Sequence, residues 1–108
     1  MAGFRDDLAD INHLIHEPAR LALLTALSAC KSADFLFLQN LIGLTSGNLS
    51  SHLARLEEAG LVWIDKQIQG KKPHTEVGLT VQGRDAIQRH WQQLDSLRQH
   101  ASEFKSPK

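Results

Sequence analysis

The stretch LTSGNLSSHLARLEEAGL, residues 44–61, constrains this chain most, because it marks a helix at both ends and gives it two unlike faces. Thr45 or Ser46 can cap the start, since a hydroxyl oxygen satisfies an orphan amide of the first turn. Leu49, Leu53 and Leu56 follow at i, i+4 and i+7, one apolar stripe at helical period. Gly60 stands where helices commonly end in a left-handed residue. At about 100° per residue, Gly47, Asn48, Ser51 and Arg55 point roughly away from the leucines. A surface helix without a task usually carries more Lys and Glu there. Small residues instead let a helix approach another body closely. Asn, Ser and Arg are also among the types that reach base edges and phosphates.

The flanks extend this helix into a pattern. Upstream, DFLFLQNLIGLT admits two readings. FLFL is compatible with a strand, but Leu38, Leu41 and Ile42 keep helical spacing and Gly43 resembles a C-cap. A very short strand near 33–35 followed by a helix over 36–42 is expected. Gly43-Leu44-Thr45 is then a three-residue turn between two helices, the helix-turn-helix arrangement. Downstream, LVWIDKQI is rich in branched and aromatic residues and predicts a strand over 61–68. TEVGLT predicts a second strand over 75–79. Between them lies a loop of about five residues with Gly70 and Pro73, basic through Lys71 and Lys72.

Long amphipathic segments enclose this core. Phe4, Leu8, Ile11 and Ile15 recur at i, i+4, i+7 and i+11 and predict a helix over 4–16. Pro18 ends it or opens the next, PARLALLTALSA, which is apolar nearly all round and belongs in a core. After a capping Thr80, the residues Ile87, Trp91, Leu94, Leu97, Ala101 and Phe104 come at spacings of three and four. A helix over 81–104 would be about 36 Å long, more than a small core needs. Exposed apolar surface of that extent marks an interface. Phe4, Leu8, Ile11, Ile15, Trp91, Leu94, Leu97 and Ala101 are therefore expected between two copies of the chain, rather than packed on one another within it. Trp63 and Trp91 are read as core or interface packing, not as base-stacking platforms. The closing SPK is expected to fray.

The 108 residues suffice for one domain with a modest core. The acidic start lacks an apolar secretory segment, and no apolar run reaches the about 18 residues of a membrane span. A single cysteine, Cys30, excludes an internal disulfide and fits a reducing cytoplasm. Lys+Arg and Asp+Glu each number 12, so the formal net charge is zero, which counts against nucleic-acid binding. Residues 1–34 hold three basic and five acidic groups, leaving the remainder at +2. That asymmetry permits a local basic face.

The element order and the wording of PARLALLTAL, FLFLQNLIGLTSGNLSSHLARLEEAGLV and QGKKPHTEVGLTVQGRDAI resemble the small winged-helix transcriptional regulators related to the ArsR and MarR families. The resemblance spans about residues 16–90. It implies a mainly α fold with a small β-hairpin (α+β), a winged helix-turn-helix with added N- and C-terminal dimerisation helices. It also implies a homodimer on a pseudo-palindromic operator in double-stranded DNA, with helix 46–59 in the major groove and wing 69–74 over the backbone or minor groove. Recognition helices touch bases through their N-terminal ends. Thr45, Ser46, Gly47, Asn48, Ser51 and Arg55 are the corresponding positions, with His52 near a phosphate and Lys71, Lys72 and His74 supplying charge from the wing.

Other functions fare less well. Some ArsR-type relatives sense zinc through a His, a second one eleven residues later and an acid or His three further on. His90, His100 and Glu103 come near this, but ten steps leave a helix about 80° off the same face, against about 20° for eleven. Gln88 stands where an acid is expected, and the relatives' thiolate pair is absent. His13 and His16 at i, i+3 could chelate a metal, yet no metal or cofactor is expected. Nor is catalysis, since the chain has no nucleophile elbow, phosphate loop or metalloprotease helix. The acidic pairs Asp6/Asp7 and Glu57/Glu58 are adjacent, so on a helix they diverge by about 100°. The alternatives retained are a winged-helix protein-interaction module, which zero net charge favours, and a metal- or ligand-gated sensor using histidines at the dimer interface.

Overall fold

The computed structural model describes residues 3–103. Its elements run α1 (Phe4–Ala9), α2 (Pro18–Ser28), β1 (Ala33–Asp34), α3 (Phe35–Ile42), α4 (Ser46–Glu58), β2 (Val62–Gln69), β3 (Lys72–Leu79) and α5 (Val81–Ser102). The three strands form one antiparallel sheet in the order β1-β3-β2. This is an α+β winged-helix fold. Leu23, Leu24 and Leu27 of α2 meet Leu38 of α3, the three leucines of α4, Val77 of β3 and Ile87 of α5 in one core.

Capping side chains set most boundaries. Glu17 accepts from the Arg20 amide at 2.9 Å, ahead of Pro18, and opens α2. Asp34 accepts from the Phe37 amide at 2.6 Å, so FLFL continues as helix rather than strand. Thr45, rather than Ser46, caps α4 through the Asn48 amide at 3.1 Å. Thr80 accepts from the Gly83 amide at 2.9 Å and donates to the Gly60 carbonyl at 2.6 Å. One hydroxyl thus opens α5 and pins it to the end of α4. A side chain at Gly83 would put its Cβ 1.8 Å from the Leu61 carbonyl oxygen, so only glycine admits this approach.

Three expectations need correction. The helix expected over 4–16 stops at Ala9. The Asn12 carboxamide accepts from the amides of Leu14 and Ile15, at 2.9 and 3.2 Å, and offers the backbone a turn in place of helix. Ile15, only 1% exposed, consequently joins the chain's own core, and Ile11 is buried too, so neither is free for an interface between copies. Second, α1 packs on α5 within the chain: Asp7 accepts from Ser96 Oγ at 3.0 Å and pairs with His100. Third, the hairpin loop has two residues outside the strands, Gly70 and Lys71, instead of about five. Gly70 supplies the positive φ of 65° the tight turn requires. Pro73 and His74 therefore lie in β3. Proline is tolerated there because β1 pairs only with Glu76 and Val77, leaving β3 with an open edge at position 73. Phe104 and the closing SPK lie outside the described residues.

Candidate nucleic-acid interface

The periodicity of α4 is realised as buried and open faces. Leu49, Leu53 and Leu56 are sealed into the core, while Thr45, Ser46, Gly47, Asn48, Ser51 and Arg55 are exposed. Lys71 and Lys72 stand exposed at the hairpin tip. Between helix and hairpin runs a groove of about 830 Å³. Ser46, Ser50, Ala54 and Glu57 form its helical wall, and Ile64, Lys66 and Thr75 its sheet wall, over Phe35 and Leu53. Ser50 and Lys66 are exposed residues of this groove that the sequence reading did not single out. Ser50 is four residues from Ser46, on the flank between the leucine stripe and the outward face.

Two of the expected contact residues are engaged elsewhere. His52 is half-buried, and Arg20 Nη1 donates to its Nδ1 at 3.2 Å. Guanidinium can only donate, so Nδ1 is the acceptor and the ring proton sits on Nε2. Arg20 also donates from Nε to the Leu14 carbonyl at 2.6 Å. Glu17, 3.9 Å from His52, completes the group, and the Arg20 backbone amide holds its carboxylate below the usual range, against an opposing desolvation and with help from the Arg20 charge. His52 thus braces α4 on α2. His74 is likewise turned back: its Nε2 lies 2.7 Å from Glu76 Oε1, and Ser32 Oγ donates to Glu76 Oε2 at 2.7 Å. These two bonds, that of Ser32 first, lower the Glu76 pKa. The arrangement fastens the wing to the strand β1 region. Arg20, Glu17 and Ser32 carried no signal in the sequence, since their partners are distant along the chain.

One pair of histidines meets within the chain. His90 is 1% exposed and faces His16, with Nε2 3.2 Å from His16 Nδ1, while His100 pairs with Asp7. Among the described residues no three His, Cys, Asp or Glu side chains gather in a way that could hold a metal. Trp63 lies against Gly78 on the neighbouring strand, and Trp91 donates from Nε1 to Thr25 Oγ1 at 3.3 Å. No helix among the described residues is long and apolar enough to cross a membrane.

Comparison with known proteins agrees with this geometry. The family model for a winged helix DNA-binding domain matches residues 19–97. An uncharacterised protein of Methanocaldococcus jannaschii is 37% identical over 70 residues, covering 65% of this chain and 73% of that protein. The solved structure of a transcriptional regulator homologue from Pyrococcus horikoshii OT3 superposes with a TM-score of 0.83 at 31% identity, over 92% of this chain and 99% of that one. The repressor CouR, solved on a 23-mer DNA duplex, shares the fold with a TM-score of 0.71 at 22% identity, over 93% of this chain and 70% of that one.

Proposed function

Because this chain belongs to the winged-helix DNA-binding domain family and is 31% identical to a solved transcriptional regulator homologue, we propose that it is a sequence-specific transcriptional regulator acting in the cytoplasm as a homodimer. The observation that carries this reading is the outward face of α4. Ser46, Gly47, Asn48, Ser51 and Arg55 form an exposed strip of small and hydrogen-bonding residues on a helix whose other face is locked in the core. Asn48 and Ser51 read base edges from the N-terminal half of the helix, Arg55 reaches a base or a phosphate, and Lys71 and Lys72 neutralise phosphates from the wing. His52 and His74 position these elements in place of contacting DNA directly.

The second copy is held by α1 and α5. Leu8 and Trp91 are 56% and 45% exposed, and Leu94 and Leu97 are half-buried along the same arm. Phe4 and Ala101 extend that surface. The DNA bound is a pseudo-palindrome whose half-sites lie about one helical turn, or a multiple of it, apart. A gel-shift and salt titration on the DNA upstream of the chain's own gene, beside a scrambled duplex of equal length, tests the reading. Selective binding that falls with salt supports it. Equal, feeble binding to both transfers the case to a protein-interaction module, the reading that zero net charge favours. Repeating the titration with zinc then separates a metal-gated sensor.

A further inference from the structure

Resting on the DNA-binding reading, we infer that His16 and His90 form a proton-operated latch. Closed, it holds the turn that seats α4; opened by acid, it releases operator DNA. His90 of α5 is 1% exposed, and its Nε2 lies 3.2 Å from Nδ1 of His16, an exposed residue of the turn between α1 and α2. His90 Nδ1 is buried without a hydrogen-bond partner. A buried N–H without an acceptor is costlier than a bare lone pair. The shared proton therefore sits on His90 Nε2, which donates to His16 Nδ1.

This geometry has no place for a second proton. On His16 Nδ1 it sets two N–H groups head to head. Moving the His90 proton to Nδ1 relieves that contact but strands a donor in the core. A charge on His90 itself lies in a desolvated site. Separation avoids all three costs, because His16 then carries its proton in water. Among the described residues, the charged groups on the elements around His90 are engaged elsewhere or exposed. Asp7 of α1 pairs with His100, Arg20 of α2 serves Leu14 and His52, and Glu76 of β3 serves Ser32 and His74. Asp10 and His13 in the turn are exposed, and Glu17 caps α2. On α5 itself, Arg84 donates to the Ser28 carbonyl, Asp85 pairs with Arg89, and Asp95 with Arg98. The Asp7–His100 pair strengthens when its imidazole is protonated, so α1 stays on α5 while the turn opens.

The turn is continuous with the brace on α4. The His16 amide donates to the Asn12 carbonyl at 2.8 Å, within the turn that presents the Leu14 carbonyl to Arg20 Nε at 2.6 Å. Glu17, next in the chain, accepts from the Arg20 amide. Displacing His16 disturbs both acceptors that aim Arg20 at His52, and α4 loses its hold on α2. DNA binds the closed form and the proton the open one, so each opposes the other.

The test uses the full chain and a duplex it selects from a random pool at pH 7.5. Affinity for that duplex is measured from pH 7.5 to 5.5 at fixed salt, across the histidine range. Wild type should bind progressively more weakly, approaching about tenfold per pH unit for each latch opened, the limit for one linked proton. The sign is diagnostic, since added positive charge by itself strengthens phosphate binding. His90→Leu should bind like wild type at pH 7.5 and keep that affinity in acid. His16→Asn, whose carboxamide oxygen accepts without titrating, should do the same and serves where His90→Leu fails to fold. The His90 imidazole NMR signals should change in the same pH step as the affinity, with helical circular dichroism unchanged. Wild-type affinity that holds or rises in acid, a loss that persists in both variants, or a loss that tracks unfolding overturns the inference and leaves the regulator reading standing. Failure to select any duplex at pH 7.5 overturns the regulator reading, and the latch's role with it.

Discussion

His90 shows how one side chain can tie the stability of this domain to pH. It is almost wholly buried, and its Nδ1 has no hydrogen-bond partner. A buried N–H without an acceptor is the rarer case, so we assign the proton to Nε2, which donates to His16. A second proton would put a charge in a desolvated site beside another imidazole. Burial first, and the His16 charge second, hold the His90 pKa below its ordinary 6.5. The unfolded chain then binds the proton before the folded one does, so stability falls as pH drops below about 6.5. Thermal midpoints measured from pH 7.5 to 5 should decline, and His90→Leu should flatten that decline. Glu17 and Glu76 are lowered from 4.5 and lose their contribution only as pH falls below that value, so the two effects separate along the pH axis. At the same scale, Arg55→Ala should weaken operator binding by about 1–3 kcal/mol, at one base position if Arg55 reads a base and uniformly if it holds phosphate. Unchanged affinity in a folded Arg55→Ala protein would remove Arg55 from the interface.

At the scale of elements, α4 is oriented by two braces, one at its midpoint and one just past its C-terminal end. Arg20 ties His52 to the turn before α2, and Thr80 ties the Gly60 carbonyl to the start of α5. Arg20→Ala removes a charged donor from two acceptors in a partly exposed setting and should cost about 1–2 kcal/mol in chemical denaturation. Gly83→Ala forces α5 away from the Leu61 carbonyl and should cost about 1–3 kcal/mol, the range for overpacking. The wing makes an electrostatic prediction: Lys71→Ala with Lys72→Ala should reduce the log–log salt slope by about 0.9 for each phosphate no longer neutralised. The elements themselves were largely legible in advance, because caps and apolar stripes act within one turn. Thr45, Gly60 and Thr80 announce α4 and α5 wherever they occur. The break after Ala9 was not legible, since Phe4, Leu8, Ile11 and Ile15 keep helical period through it, and only the Asn12 turn reveals that two of them leave for the core.

The whole molecule is elongated, 65 × 27 × 21 Å, because α1 and the outer part of α5 form an arm beyond the winged-helix core. Part of the arm's apolar surface is used within the chain, and Leu8 and Trp91 remain partly exposed. On the dimer proposed above, Leu8→Glu should shift sedimentation towards a monomer while leaving α4 folded. Operator affinity should then fall steeply, since one protomer reaches one half-site. A Leu8→Glu protein that sediments as wild type would take α1 out of the interface.

What the residues determined alone was the local framework: a helix-turn-helix, a basic hairpin, a long final helix, and which face of α4 is buried. Their determinants are hydrogen bonds and apolar contacts among neighbours a few positions apart. What only the tertiary structure decided was the partnership of side chains far apart in the chain. His52 and His74 look like ligands for phosphate until Arg20 and Glu76 are seen beside them, and no spacing in the chain pairs His90 with His16. Spacing along a chain reports the face a residue occupies, but the packing of one element on another decides whether that face meets water, protein or DNA.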